Sequence, residues 1–451
     1  MTKAKEINNI KNIASTLIKF SLPLILSGIL QQLYNWADAF IVGNINGELA
    51  LATVGSTTTI INFFVTAITG FALGLAILFA QKYGSKDLKS IPSILSTFSI
   101  FLGGVFTVLA VMGIWLTSYI LQLLHTTPDT FSLAEEYLRI IFLGLPFLAV
   151  YNVYSSGLRG VGNSKAPFYS VLLSAIVNII LDLVFVAHFR WNVAGAAFAT
   201  IISQMAMTLF LVLYTIKNYP ILRFRLNKSA FDKKIFQKGW QFGFPPMLQS
   251  SISSVGHLVL QNFMNGFGTQ TVTAITTAYR VDSVIIVPLI NLGSGISTLV
   301  AQDYGSGQIK RAKKVLSVGL ALMIVISLAM TGFVLMMGGH LIEIFGAESE
   351  TVKIGNNFFH VIAIFYPVYG IATVIKSFLE GIGDISYSSF AGIISLISRI
   401  IGSYSLVGIF SNMVIAFAEG FSWMVLLIMY ALRLILKIRK ETLFYQNSKV
   451  S

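Results

Sequence analysis

The sequence predicts an all-α polytopic membrane protein with twelve transmembrane helices in two six-helix bundles related by a pseudo-twofold axis. The composition, the long apolar runs and an internal repeat support this prediction. Hydrophobic residues make up 55% of the 451 residues, charged residues only 11%, and the mean hydropathy is +0.79. Such a composition, with apolar runs of about 20 residues recurring along the chain, is typical of a protein that crosses a bilayer many times.

The two halves of the chain repeat each other at a nearly constant spacing of about half the chain. The matching pairs are AQKYGS at 80–85 with AQDYGS at 301–306, GLRGVGNS at 157–164 with FLEGIGDI at 378–385, and KFSLP at 19–23 with QFGFP at 241–245. Three pairs at one spacing indicate a duplication of a unit of half the chain. Because each copy contains an even number of spans, the copies should have the same orientation in the membrane.

Apolar runs of sufficient length predict twelve spans, six in each copy. The predicted spans are 14–43, 50–81, 91–119, 131–158, 166–189, 193–217, 239–266, 272–301, 311–338, 355–381, 386–410 and 412–437. The repeat then divides the chain into four parts. These are an N-terminal lobe at 1–217, a cytoplasmic linker at 218–238, a C-terminal lobe at 239–437 and a cytoplasmic tail at 438–451.

The positive charges predict the orientation in the membrane. Lys and Arg are concentrated in the loops on the side of the termini, whereas the opposite loops hold only Arg190 and Lys353. The positive-inside rule therefore predicts a multi-pass protein of the plasma membrane with both termini in the cytoplasm. The net charge of +13 lies where topology and lipid headgroups account for it, so we expect no nucleic-acid partner. Cysteine is absent, which excludes disulfides and thiolate metal sites.

Two acidic residues inside predicted spans are the main candidates for function. Asp38 and Asp182 lie on the first and fifth spans, where a carboxylate costs about 3 kcal/mol or more and normally faces the bundle interior. Asn178 precedes Asp182 by one helical turn and shares its helical face. Tyr137 and Thr200 fall at a similar depth, so all five side chains are predicted in the outer half of the N-terminal bundle.

Several motifs together resemble the multidrug and toxic compound extrusion (MATE) transporters over essentially the whole chain. They are Pro23 followed by QQLYNWADAFIVGNING (31–47), the repeated A-Q-x-Y-G-S, GLRGVGNSKAP (157–167), NIILD (178–182) and AYRVDSVIIVP (278–288). The resemblance implies export of bulky, amphipathic, often cationic compounds, driven by an inward proton or sodium gradient. We also expect a monomer in the lipid bilayer, with small-molecule substrates and no cofactor beyond the coupling ion.

The resemblance also assigns roles to residues. The set Asp38, Asn178, Asp182, Tyr137 and Thr200 looks like the cation site in the N-lobe of bacterial and archaeal MATE members. Four of them, Asp38, Asn178, Asp182 and Thr200, would coordinate sodium if sodium is used. Pro23 matches a proline of the first helix that is tied to bending. The alternative is that the acids are structural polar groups that fix helix packing, and that the proline only kinks its helix.

The second copy lacks the acids of the first. At the spacing of the repeat, Val259, Ser403 and Arg399 stand in the places of Asp38, Asp182 and Asn178. The sequence therefore predicts a single ion site, in the N-terminal lobe. The second copy instead carries charged residues that we interpret as a structural network, with Arg399 paired to an acid. Its members are His257, Arg280, Asp282, Arg399 and Glu419. His257 could alternatively titrate near neutral pH.

Polar and aromatic residues of the first, second, seventh and eighth spans are candidates for a drug cavity between the lobes. The candidates are Gln31, Tyr34, Asn35, Trp36, Asn62, Gln249, Gln261 and Tyr279. A lipid-linked oligosaccharide flippase of the same superfamily is the alternative function, which Arg280, Arg399 and Lys376 would favour by binding a pyrophosphate headgroup. An enzyme is not expected, because the sequence has no zinc-protease, aspartyl, serine–histidine or nucleotide-binding motif.

Overall fold

A computed structural model describes residues 2–225, 230–344 and 348–447, and these ranges are helical with no strand. The α-helices in the described ranges are α1 Thr2–Asn46, α2 Glu48–Gly84, α3 Ser90–Leu123, α4 Pro128–Phe142, α5 Leu145–Gly160, α6 Lys165–Asp182, α7 Asn192–Asn218, α8 Lys233–Asn265, α9 Thr269–Ile285, α10 Val287–Gly305, α11 Ile309–Glu343, α12 Ser349–Ile362, α13 Tyr366–Gly381, α14 Ile385–Phe410 and α15 Val414–Asn447. Nine helical segments of the described chain are long and apolar enough to cross a membrane.

Each of the twelve predicted spans falls on one of these helices or on a pair of consecutive helices. Three spans are broken in the middle: α4 and α5 share one, α9 and α10 another, and α12 and α13 a third. Pro146 and Pro367 stand in the first turns of α5 and α13, at equivalent positions of the two copies. Proline lacks an amide hydrogen and ends the preceding helix, so the duplicated break follows from a duplicated residue.

One compact unit comprises residues 22–254. Its core is a continuous cluster of aliphatic and aromatic side chains from α2, α3, α4, α5 and α7, among them Phe71, Phe98 and Phe142. Helices α2 and α8 approach each other closely at Gly74, where an added Cβ atom would collide with the backbone carbonyl of Phe242. Small residues at helix contacts are what allow such approaches in membrane proteins.

The other compact unit comprises residues 1–21 and 255–451. One of its clusters joins Ile13 and Leu17 of α1 to Leu289, Ile296 and other apolar residues of α10, α11 and α13. A second cluster surrounds the fully buried side chains of α12 and α13. It includes Phe358, Phe359, Ile362 and Tyr366.

The boundaries of the compact units differ from the lobes that the repeat predicts. The segment 1–21 belongs with the second copy, and the chain up to position 254 belongs with the first, so α1 and α8 each run from one unit into the other. The reason is packing. Ile13 and Leu17 are buried in the cluster of the second unit, whereas Trp240 and Phe242 pack against the core of the first.

The repeated A-Q-x-Y-G-S motif lies at the ends of α2 and α10, and its third residue forms an ion pair in each copy. That residue is the cation in the first copy and the anion in the second. In the first copy Lys82 binds Asp87, with an Nζ–Oδ2 distance of 2.6 Å. That hydrogen bond lowers the pKa of Asp87, which lies in the loop before α3. In the second copy Asp303 stands in the place of Lys82 and binds Arg311 of α11, again at 2.6 Å. Each copy therefore closes the same turn with its own internal charge pair.

Candidate cation-coupling site

Helices α1 and α6 bring two carboxyl groups together within the unit of residues 22–254. Asp38 lies in the last third of α1, and Asp182 is the last residue of α6. Their side chains lie close enough to interact electrostatically. Asp182 is fully buried and Asp38 is partly buried. The structure therefore makes direct neighbours of two acids that are far apart in the sequence.

Three further polar side chains belong to the same cluster. Asn178 lies one helical turn before Asp182 and is 1% exposed. Tyr137 of α4 is buried close enough to interact electrostatically with both acids and with Tyr34. Tyr34 lies one helical turn before Asp38 and interacts with it electrostatically. The site thus combines two carboxyls, one amide and two phenols from three helices.

Several buried polar atoms of this cluster lack hydrogen-bond partners when the carboxylates are ionised. They are Oδ1 of Asp38, both carboxylate oxygens of Asp182, and both polar side-chain atoms of Asn178. Buried polar groups are normally hydrogen-bonded, and unpaired ones are costly. Carboxylate and amide oxygens suit sodium, whereas a proton shared between the two acids would pair one oxygen of each. No group of three or more His, Cys, Asp or Glu that could hold a metal occurs in the described residues.

The backbone is irregular directly after Asp182. Residues Leu183–His188 form a π-helical turn. Two residues that follow have positive φ angles. Arg190, just before α7, has φ 55°, and Asn192, the first residue of α7, has φ 52°. Single π-helical turns are rare and are often found at functional sites, and positive φ is uncommon outside glycine. Asp182 therefore lies where α6 departs from regular α-helical geometry.

Two other predicted site residues, Thr200 and Pro23, are in the same compact unit. Thr200 of α7 is partly buried, and its backbone carbonyl accepts a hydrogen bond of 2.8 Å from Ser203. Its side chain makes no hydrogen bond to the acids or to another described residue, so its part in cation binding stays a prediction. Pro23 lies inside α1, where Ser27 donates a 2.8 Å hydrogen bond to its carbonyl. It is close to the position at which α1 passes between the compact units.

At the equivalent place in the second unit, a buried ion pair replaces the acids. Arg399, which stands in the place of Asn178, binds Glu419 at 3.0 Å and Tyr279 at 2.7 Å. Tyr279 also donates to Glu419 at 3.0 Å. Arg399 and Glu419 are each 8% exposed. Arg399 thus pairs with Glu419, one of the acids of the predicted network.

Of the other members of the predicted charge network, Asp282 and His257 are in buried or cavity-lining positions, whereas Arg280 is exposed. Asp282 is buried and accepts a short hydrogen bond from Tyr366. His257 and Arg399 line a cavity of about 100 Å³. Arg280 is different, because it is exposed and its side chain makes no hydrogen bond or ion pair with another described residue. The structure therefore does not bring Arg280 into the network.

The candidate substrate contacts are distributed over both units. Gln31, Asn35 and Asn62 are exposed. Tyr34, Trp36, Gln249, Gln261 and Tyr279 are partly buried. Gln261 donates to Asn265 at 3.2 Å and lines the cavity that also contains Tyr279. These environments leave the role of the set in substrate binding as a prediction.

The sequence pattern of the MatE family matches the chain twice, at residues 23–184 and 245–405. The two matches together cover more than half of the chain. The chain belongs to the MatE family. Proteins of this family are transporters, so the chain is a membrane transporter and not an enzyme. The second match follows the first at nearly the spacing of the repeated motifs, which confirms the internal repeat.

Curated relatives of this MatE chain are named as drug-resistance and export proteins. "Probable multidrug resistance protein YpnP" of Bacillus subtilis (strain 168) is 29% identical over 377 residues, which are 82% of this chain and 83% of the relative. "Multidrug export protein MepA" of Staphylococcus saprophyticus is 25% identical over 369 residues, which are 82% of this chain and 81% of the relative.

Solved MATE structures have the same fold as this chain. A multidrug resistance MATE family transporter in an outward-facing conformation superposes with a TM-score of 0.89 at 19% identity, covering 95% of this chain and 96% of the other. A transporter of the MOP superfamily from Pyrococcus furiosus Vc1 gives 0.89 at 20% identity, with the same coverage. These likenesses confirm the all-helical membrane fold of the MATE transporters, which have twelve helices in two bundles.

Sequence reasoning missed the place of some tyrosines in this MatE protein. The sequence places Tyr34 only among the candidates for the substrate cavity, yet it lies beside Asp38. Its spacing of one helical turn from Asp38 was the available signal, because such residues share one helical face. Tyr366 was not selected, although its hydroxyl binds the buried Asp282. No sequence spacing connects these two residues, since they lie 84 positions apart.

Proposed function

We propose that this transporter is a proton- or sodium-coupled antiporter that exports amphipathic, often cationic compounds by alternating access. The observation that carries the proposal is the neighbouring pair of Asp38 and Asp182, three of whose carboxylate oxygens are buried without a hydrogen-bond partner. Two ionised carboxyls in contact repel each other and are poorly solvated at this depth. Binding of one proton or one sodium ion would relieve both costs.

Cation binding at this pair would be linked to conformation in a simple way. A ligand shifts an equilibrium between two conformations only by its difference in affinity for them. Asp38 is on α1 and Asp182 at the end of α6, so an arrangement that separates these helices would lose the shared cation. Pro23 weakens α1 at one position by removing a backbone hydrogen bond, which would allow the outer part of the helix to move.

The side chains around the acids would contribute in different ways. Asn178 and Thr200 offer neutral oxygen atoms that suit sodium, whereas Tyr34 and Tyr137 offer hydroxyl donors that stabilise an ionised carboxylate. A proton needs only the two carboxyls. The same cluster therefore supports either ion, and the two cases differ in their dependence on Thr200.

The proposed substrate class follows the names of the relatives, which are a multidrug resistance protein and a multidrug export protein. Those names do not favour the lipid-linked oligosaccharide flippase. Two of the three cations that such a headgroup would need are already paired with acids, Arg399 with Glu419 and Lys376 with Glu380. We further propose a monomer in the plasma membrane with both termini in the cytoplasm, small-molecule substrates, no nucleic-acid partner and no cofactor.

Dye efflux from loaded vesicles under separately imposed proton and sodium gradients tests the proposal. Asp38→Asn and Asp182→Asn should reduce gradient-driven efflux to the level of empty vesicles while the protein remains folded, because the amide cannot exchange a proton or balance a cation. Asp129→Asn is the matched control, since Asp129 is exposed at the start of α4. Wild-type efflux by both site variants would refute the coupling role.

A further inference from the structure

A second feature of the first unit, a pocket between α3 and α8, has no part in the coupling site. Its volume is about 600 Å³, and its lining residues all belong to the unit of residues 22–254. The lining residues are Phe101, Phe236, Gln237, Trp240 and Gln241. None of them carries a charge. Small-molecule sites in proteins have volumes of about 300–1,000 Å³ and combine aromatic walls with a few polar groups, as this pocket does.

Three aromatic rings form the walls of the pocket. The centroids of Phe101 and Phe236 are 4.8 Å apart with their planes at 69°. Trp240 is 5.9 Å from each of them. Phe244 stacks on Trp240, with centroids 4.7 Å apart and planes at 17°, which restrains the indole further. Edge-to-face and offset contacts of this kind fix ring orientations, so the aromatic surfaces have a defined geometry.

The backbone beneath the rings is held in place by close packing. An added Cβ at Gly239 would collide with the ring of Phe98, and one at Gly243 would come within 2.6 Å of the ring of Phe71. Helix α8 therefore packs directly on the aromatic core through two glycines. Phe236 and Trp240 lie one helical turn before these glycines and on the same side of α8, so the close packing also sets the position of their rings.

The chain that precedes α8 is tied to α3 on the same side. The backbone amide of Arg225 donates to Ser96 at 2.7 Å, and the amide of Asp232 donates to Thr97 at 3.1 Å. These bonds anchor the described ends of the linker against the helix that supplies Phe101. A pocket whose walls are fixed before binding loses little entropy when a ligand enters.

We propose that this pocket binds planar aromatic compounds. Their rings stack on Trp240 and its neighbours, and their polar groups bond to the amides of Gln237 and Gln241, which both donate and accept. A positive charge on the compound would be stabilised by cation–π interaction with the ring faces. An anionic lipid headgroup fits less well, because Lys233 and Lys234 of the same helix are not part of the lining.

Binding at this pocket does not depend on the proposed cation coupling. No lining residue belongs to the cluster around Asp38 and Asp182. The Asp38→Asn variant should therefore lose driven efflux and still bind a planar compound here. Failure of the two proposals can thus be told apart in one set of variants.

The absence of native cysteine allows a local binding test. Gln237→Cys places a single thiol in the lining at an exposed position. The protein is placed in phosphatidylcholine nanodiscs, and the rate of maleimide labelling is measured with increasing ethidium. Ethidium should slow labelling of this thiol. Asp129→Cys is the control, because Asp129 is exposed at the start of α4 and is not part of the lining, and its labelling should not change.

Substitutions in the pocket complete the test. Trp240→Ala in the Gln237→Cys protein should raise the ethidium concentration needed for protection about tenfold, the value of one lost stacking contact. If that variant does not fold, Gln241→Trp fills the pocket from an exposed position and should abolish protection. Unchanged labelling at saturating ethidium would overturn the proposal. Protection by phosphatidylglycerol alone, without ethidium, would identify a lipid site and overturn it equally.

Discussion

Arg399→Ala should destabilise the protein by about 3 kcal/mol without removing ion coupling. Arg399 makes charge-assisted hydrogen bonds to Glu419 and Tyr279, each worth roughly 1.5 kcal/mol or more in a buried setting. Removing one partner of a buried ion pair costs about 3–5 kcal/mol, because the other charge is stranded. Tyr279 still donates to Glu419, so the loss should fall at the lower end of that range.

Equilibrium unfolding in mixed micelles measures this loss. Arg280→Ala is the matched control, since Arg280 is an exposed arginine in the same unit and should change the unfolding free energy by less than about 0.5 kcal/mol. Adding Glu419→Gln to Arg399→Ala should restore part of the stability by removing the stranded charge. A stable Arg399→Ala protein that has lost its ion dependence would refute the reasoning, and would assign part of the ion pathway to the second unit.

Three further substitutions test separate parts of the structure. If sodium is a coupling ion, Thr200→Val should lower the apparent sodium affinity of efflux more than it changes the proton dependence, and an equal effect on both would exclude a ligand role. For Asp384, in the loop before α14, burial alone would raise the pKa, but hydrogen bonds and charge from Arg433 and Lys437 outweigh it and hold the pKa below its ordinary value. This ion pair therefore stabilises the fold above pH about 4 and is lost as the pH falls through the lowered pKa. The gap in thermal midpoint between wild type and Asp384→Asn should accordingly close in acid, and a constant gap would contradict this. Gly74→Ala should destabilise by about 2 kcal/mol or more, because its methyl group meets backbone that cannot move aside. Gly55→Ala in the same helix has open space, so it should be neutral or stabilising by up to about 1 kcal/mol in the same unfolding assay.

The helices were predictable because a membrane span needs about 20 apolar residues, and that signal is local. The positions at which α1 and α8 change units were not, because they depend on which core receives Ile13 or Trp240. The acids of the first copy were predictable because charge inside a span is rare.

The sequence could not show that Asp38 and Asp182 lie next to each other, because they are on different helices and far apart in the chain. The absence of Arg280 from the charge network could have been predicted from helical spacing. Residues two apart in a helix do not share a face, so Arg280 and Asp282 were unsuited to one cluster, whereas Tyr279 and Asp282, three apart, do share one.

Because α1 and α8 each run from one compact unit into the other, a protein split in the linker would not divide at a unit boundary. A break in the linker would yield two fragments that correspond to the sequence repeats and not to the compact units. The first fragment would carry the segment 1–21, which belongs to the core of the other unit, and the second would carry the segment 239–254, which belongs to the core of the first. Neither fragment would contain a complete core. Coexpressed fragments should therefore complement each other, while either one alone should be degraded.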